Sequence, residues 1–149
     1  MDRVCIDASL AGAWLSWETH TLKANALRQE WQESGVEMVA PALFHVEVVS
    51  TIRKRVYLKL VPPNEGEEAF FIYLDMPVKI IDGPEITQTA WDLAKEYNLP
   101  VCYDMFYLAV AELMQCTFWT NDKKLVNSLN GKNRRVKYLG DYHTRGRNL

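Results

Sequence analysis

The chain has 149 residues, 48% of them hydrophobic, and a formal net charge of −2, a size and apolar content that suit one compact domain around one core. No apolar run approaches the ~20 residues that span a bilayer, and the start lacks the basic-then-apolar layout of a secretory signal. A soluble protein with no membrane partner and a cytoplasmic location is expected.

In chain order, strand-like segments alternate with helical patterns, the signature of an α/β domain with a mostly parallel sheet. Arg3–Ile6 reads as a first strand running into Asp7-Ala8-Ser9, after which Leu10, Trp14 and Trp17 begin a helical stripe. Leu22, Ala26, Leu27 and Trp31 mark a second helix from Thr21, with Gly35 as its stop. Residues 36–40 form the next strand. Pro41 suits the first turn of a long helix whose predicted buried face is Leu43, Val46, Val49, Ile52 and Val56. Pro62-Pro63-Asn64 breaks the chain before a helix through Phe70 and Leu74, and Pro77 introduces a strand over 78–81. A helix carrying Ile86, Ala90, Leu93, Ala94 and Tyr97 ends near Asn98. The connector 99–103 delivers Asp104 to a helix with Leu108, Ala111 and Leu113. Residues 117–120 form a buried strand, Asn121-Asp122 opens a short helix to Leu129, and 136–139 give a last, edge strand. From Gly140 the chain is polar and is expected to be a flexible tail.

Charge is unevenly spread. From Lys123 to Leu149, eight basic residues (Lys123, Lys124, Lys132, Arg134, Arg135, Lys137, Arg145, Arg147) face Asp141 alone, a local +7 that leaves −9 on the first 122 residues. Such a basic end is one footprint of phosphate binding, although solvated surface gives the same pattern. Cys5, Cys102 and Cys116 lie in apolar runs without a C-x-x-C pair and read as buried thiols.

Four acids stand out by position. Asp7 and Asp122 lie just past the carboxyl ends of predicted strands, where parallel α/β sheets form their ligand crevice. Asp7, Asp104 and Asp122 all precede or open helices, whose positive dipole ends favour the ionised form. Glu47 lies inside a helix on a half-apolar face with Leu43 and Ser50, where an unpaired buried charge costs several kcal/mol. Each has a plainer reading: Asp7 and Asp122 as N-caps, Asp104 as a first-turn acid, Glu47 as reaching solvent or pairing with Arg53 or Lys54. Together, four acids without a matching cation call for a hard divalent ion, Mg²⁺ or Mn²⁺. The separate positions of His20, His45 and His143, none paired with cysteine, do not make a zinc motif.

The segments 4–9 (Val4-Cys5-Ile6-Asp7-Ala8-Ser9), 41–52 (Pro41 to Ile52, containing Glu47), 103–112 (Tyr103-Asp104 to Glu112) and 120–125 (Thr120-Asn121-Asp122-Lys123-Lys124-Leu125) resemble the four signature blocks of PIN domains. Their order and spacing are similar to those of VapC toxins of toxin–antitoxin pairs. The resemblance implies a PIN-like three-layer α/β/α sandwich with a central mostly parallel sheet, which agrees with the single domain over residues 1–149, with 140–149 as a flexible polar tail, expected from length and composition. It implies catalytic, metal-binding roles for Asp7, Glu47, Asp104 and Asp122. Ser9 and Thr120 match supporting hydroxyls that bond a carboxylate or contact a phosphate. Asn121 stands where many VapC-like sequences have Ala, and Glu112 is a weaker ligand candidate.

The implied activity is Mg²⁺-dependent endoribonuclease hydrolysis leaving 5′-phosphate and 3′-hydroxyl ends, with Mn²⁺ as a substitute. The implied partners are an RNA substrate, a cognate antitoxin and a second copy in a homodimer. Because the acids repel phosphate, RNA needs cations: Lys123, Lys124, Arg53, Lys54 and the Lys132–Lys137 cluster are the candidates. Two other readings compete. One is a catalytically silent PIN-fold module that binds protein or RNA, with Trp14, Trp17 and Trp31 on a partner surface instead of in the core. The other is a phosphotransfer or phosphatase domain using Asp7 as nucleophile, which leaves Glu47 unexplained and lacks the second Asp often paired with such a nucleophile.

Overall fold

The structure, a computed structural model, describes residues 2–15 and 19–144. Its elements in chain order are β1 (Arg3–Ile6), α1 (Ala8–Trp14), α2 (Thr21–Ser34), β2 (Glu37–Ala40), α3 (Leu43–Tyr57), α4 (Pro63–Leu74), β3 (Val78–Ile80), α5 (Pro84–Glu96), α6 (Tyr103–Leu113), β4 (Thr117–Thr120), α7 (Lys123–Ser128) and β5 (Val136–Tyr138), with a 3₁₀ turn at Leu139–Asp141. No helix is long and apolar enough to cross a membrane among the described residues.

The five strands form one sheet in the order β3-β2-β1-β4-β5, every neighbouring pair parallel. β1 is central: Cys5 pairs with Val39 on one side and Phe118 on the other. Val4, Cys5 and Ile6 are all buried, the run of apolar residues that a strand covered on both faces requires. Right-handed crossovers place the helices of the leftward connections, α1 to α4, on one face and those of the rightward connections, α5 to α7, on the other. The result is the three-layer α/β/α architecture expected from the sequence. From β1 the chain moves outward through β2 and β3, then returns to start β4 on β1's other side. The strand order therefore reverses between β1 and β4, and a crevice opens beyond their carboxyl ends.

Local chemistry accounts for several boundaries. Gly35 ends α2 at φ 68°, a left-handed conformation without penalty for glycine, and Pro63 occupies the first turn of α4. Pro41 lies just before α3, which begins at Leu43. β2 starts one residue later than expected. The 78–81 strand keeps its last ladder bond, Ile81 N–H to Ala40 O at 2.9 Å, outside the regular element.

The buried face of α3 differs from the expected one. Phe44, Val48 and Ile52, spaced by four, are buried, whereas Val46 and Val49 are 62% and 37% exposed. Apolar residues cover more than one stripe of this helix, so spacing alone could not choose between them; packing against the core selected the stripe carrying Phe44. Val56 packs against α4 at Gly66, where an added Cβ would clash with Val56 Cγ2.

Trp14 and Trp31 are buried and meet edge to face at 6.2 Å, so these two belong to the core; Trp17 lies outside the described residues. Of the tail expected from Gly140, residues 140–144 follow the domain surface. Tyr142 is buried, packs on Trp119, and donates its hydroxyl to Glu30 Oε2 at 2.5 Å. Arg145–Leu149, including the basic Arg145 and Arg147, lie outside the described residues. All three cysteines are free thiols, Cys5 and Cys116 buried and Cys102 partly so.

Candidate functional site

Asp7 occupies the first position after β1, at the crevice floor. Its extended backbone makes it the N-cap of α1, and Oδ1 accepts from Leu10 N–H at 3.1 Å. Ser9 Oγ donates to the same oxygen at 2.7 Å, and Thr120 Oγ1, from the end of β4, donates to Oδ2 at 2.5 Å. Each hydroxyl also accepts a backbone N–H from the turn after β4: Asn121 N–H to Ser9 Oγ at 2.8 Å, Asp122 N–H to Thr120 Oγ1 at 3.0 Å. Two hydroxyls thus lock the β4–α7 turn onto the Asp7 carboxyl. Burial nevertheless dominates over these bonds and pushes that carboxyl up to about 7, with a further push from Asp104.

Asp122 caps α7, its Oδ1 accepting from Lys124 N–H and Leu125 N–H at 3.0 and 3.2 Å. Asp104 lies in the first turn of α6. Although it sits at the surface rim, surrounding protein atoms strip enough water to raise its carboxyl above the usual range, and the charges of Glu47 and Asp122 raise it further. Glu47 projects from α3, and its Oε1 accepts the Tyr107 hydroxyl at 2.5 Å. Electrostatically, then, Asp104 feels Glu47 and Asp122, and Asp7 feels Asp104, which connects all four sequence-selected acids. None of the four is in an ion pair with Lys or Arg among the described residues.

The convergence has a limit: among the described residues no three His, Cys, Asp or Glu side chains close into a metal cage. Asp7's oxygens are taken by hydroxyls and Glu47's Oε1 by Tyr107, while Asp104 is repelled by its neighbours. The donor set itself, carboxylate oxygens with no Lys or Arg paired to them among the described residues, fits a hard divalent cation of the Mg²⁺ or Mn²⁺ type. Beside it lies a cleft of about 490 Å³ lined by Ala8, Ser9, Val46, Glu47, Ser50 and Tyr103 among others.

The other sequence candidates separate. Lys123 and Lys124 are exposed in the first turn of α7, directly after Asp122, with Lys123 Nζ 6.0 Å from the Tyr138 ring centre. Arg53 and Lys54 are six and seven residues beyond Glu47 on α3, a displacement of about 10 Å along the axis; Arg53 lies over the Tyr57 ring instead. Arg135 donates to Cys116 O, at the start of β4 and the opposite end of the sheet from the acids. Glu112 is two turns along α6 from Asp104, and its charged neighbours are Glu96 and Arg135.

Sequence reasoning missed Tyr107. It stacks on Phe118 with ring centres 5.7 Å apart and 12° between planes, and burial keeps its hydroxyl protonated well beyond the ordinary range. The available signal was its spacing, three residues after Asp104 on one helix face. Asn121 also has a structural role. Its Nδ2 donates to Thr19 O at 2.8 Å and its Oδ1 lies 3.1 Å from His20 Nδ1, tying the segment before α2 to the site turn.

The PIN domain family model matches residues 4–128, a span that contains all four acids. The chain belongs to the PIN-domain family. Ribonuclease VapC12 of Mycobacterium tuberculosis (strain ATCC 25618 / H37Rv) is 31% identical over 105 residues, covering 70% of this chain and 78% of that protein. The protein of the same name from strain CDC 1551 / Oshkosh matches equally. Among solved structures, a toxin-antitoxin complex from Klebsiella pneumoniae aligns with TM-score 0.64 at 18% identity, covering 91% of this chain and 97% of that one. VapBC2 from Rickettsia felis, bound to a DNA fragment from its promoter, aligns with TM-score 0.63 at 12% identity, over 91% and 98% of the two chains. PAE2754 from Pyrobaculum aerophilum gives 0.60 at 18%, over 93% and 90%. At these identities the structures bear on the fold alone, and they share the PIN architecture. Within this PIN domain, the basic residues from Lys132 onward fall beyond the matched span, whereas Lys123 and Lys124 fall inside it.

Proposed function

We propose that this PIN domain is a Mg²⁺-dependent endoribonuclease, the VapC-like toxin of a toxin–antitoxin pair, acting in the cytoplasm as a homodimer with a cognate antitoxin as its regulator. The observation that carries the reading is the set of four carboxylates that feel one another at the β1–β4 crevice with no Lys or Arg paired to them among the described residues. The ribonuclease name of the VapC12 relative supports the activity, and the toxin–antitoxin titles of the structural neighbours support the partner.

Asp7, Glu47, Asp104 and Asp122 would hold the cation, which when bound supplies charge neutralisation for the phosphodiester and activation of water. The chain's own residues do the rest. Ser9 and Thr120 orient Asp7, so that one carboxylate is fixed before substrate arrives. Lys123 and Lys124 attract the RNA backbone at the rim, offsetting the repulsion between phosphate and acids.

The silent-module reading is favoured by one observation, the lack of a closed cage among the described residues. A single assay separates the two: purified protein incubated with RNA in Mg²⁺, in EDTA, and with Asp104→Asn. Cleavage that needs the metal and is lost in the variant supports the nuclease; no cleavage under any condition supports the silent module, and cleavage surviving EDTA or the substitution refutes the assignment of the four acids.

A further inference from the structure

We infer that Tyr107 is a positioning residue of the acidic site, its hydroxyl fixing Glu47 Oε1 so that Oε2 remains the free oxygen for a divalent cation. This rests on the nuclease reading above.

Glu47 has three side-chain torsions and stands on a helix whose neighbouring face is open, so unaided it would sample many rotamers. Tyr107 does not. Its ring is 1% exposed and stacked on Phe118, so the hydroxyl is held in place by the core. That hydroxyl donates to Glu47 Oε1 at 2.5 Å, and no other hydrogen bond or ion pair of Glu47's carboxylate is present among the described residues. The bond spans α6 to α3, and α6 is also the helix that carries Asp104 one turn earlier. One rigid residue thereby sets the relation between two acids on different helices. The donor's neutrality matters too. A lysine or arginine would restrain Glu47 equally but would neutralise the negative charge a cation needs, whereas a phenol satisfies one lone pair and leaves the charge in place.

Tyr107→Phe keeps the ring and the stack while deleting the donor. Calorimetric titration with MnCl₂ is expected to give a Kd at least about tenfold weaker than the parent protein, the range seen when an outer partner of a metal ligand is removed. Glu47→Gln should weaken binding as much or more. Adding Tyr107→Phe to Glu47→Gln should weaken it by no more than about twofold again, since residues acting through one another are non-additive. The Mn²⁺-induced rise in thermal midpoint should shrink in Tyr107→Phe, whereas a merely structural tyrosine would lower the metal-free and metal-loaded midpoints together and leave that rise unchanged. Binding by Tyr107→Phe within twofold of a parent that does bind, or fully multiplicative effects in the double variant, would overturn the inference and leave the nuclease reading intact. A parent protein showing neither binding heat nor a Mn²⁺-dependent midpoint shift would overturn both.

Discussion

The two halves of the acidic site are built differently. Asp7 is a strand-end residue, buried, with both oxygens accepting hydrogen bonds and its position set by sheet register. Glu47 and Asp104 belong to helices on opposite faces of the sheet, carry few restraints, and meet across the crevice with like charge. The strand half is organised by the protein itself. The helix half is tied together by Tyr107, and neither acid is paired with Lys or Arg among the described residues.

If that contrast is correct, removing charge from each half should have different consequences. Asp104→Asn, in the helix half, should reduce Mg²⁺-dependent RNA cleavage by at least about a thousandfold, since several kcal/mol of transition-state charge stabilisation depend on the cation. Its metal-free fold should be unaffected or slightly stabilised, because the repulsion from Glu47 and Asp122 is relieved. Parallel cleavage assays and thermal scans in EDTA check both statements; retained cleavage breaks the assignment of Asp104.

In the strand half the expected signature is pH dependence of stability. Asp7's carboxyl rises from 3.8 to about 7 in the folded protein, chiefly through burial. Because the folded value is the higher one, its contribution to stability is complete below pH ~4 and is lost as pH climbs through about 7. Asp7→Asn removes this loss. Urea unfolding in EDTA should therefore show the variant gaining on the parent between pH 4 and 8, by up to roughly 4 kcal/mol at about 1.4 kcal/mol per pKa unit. Mn²⁺ at pH 8 should stabilise the parent and not the variant. A stability difference that is flat across this range would mean that Asp7 is not strained by its burial.

A smaller effect is expected from Thr120→Val, which keeps the volume but deletes the hydroxyl between Asp7 and the Asp122 backbone. It leaves Asp7 Oδ2 without its donor and the Asp122 N–H without its acceptor, a loss of about 1–3 kcal/mol at neutral pH. Denaturant midpoints measure it. A change under about 0.5 kcal/mol would show that the hydroxyl relay contributes little to the strand half.

The same contrast explains what could be read from the amino-acid order. Strand-end positions are legible, because a β-rich run followed by Asp-x-Ser or Thr-Asn-Asp fixes both the local backbone and its place in a parallel sheet. The sheet, its edge strand, Asp7 and Asp122 were reachable that way, whereas Glu47 and Asp104 sit on helices and were singled out by helix position and by the family resemblance. Helix faces are less legible where apolar residues wrap more than one stripe. On α3 the expected face included Val46 and Val49, which are exposed, and omitted Phe44 and Val48, which are buried. Cross-element contacts are less legible still: the spacing puts Tyr107 on the Asp104 face of its helix, but does not say that its hydroxyl reaches a glutamate 60 residues away. Nor does a cluster of basic residues reveal which end of the sheet it occupies, and Arg135 lies at the end remote from the acids.

The last prediction tests the rim where the strand half meets solvent. Lys123 and Lys124 occupy the first turn of α7, where the helix dipole favours acids and disfavours lysine by about 0.3–1 kcal/mol each. Helix stability therefore gives no reason for them. Their neighbours do: Asp122 precedes them, and phosphate approaching that acid must pass a repulsive field. Replacing both with alanine should leave stability unchanged or slightly raised, while RNA affinity falls. The dependence of log affinity on log salt should flatten by about 0.7 for each lysine that contacts a phosphate, up to roughly 1.4 for the pair. Filter binding of RNA to Asp104→Asn, with and without the two alanines, measures this free of cleavage. An unchanged slope would remove these lysines from the substrate path, and a slope lost together with stability would return them to a structural role.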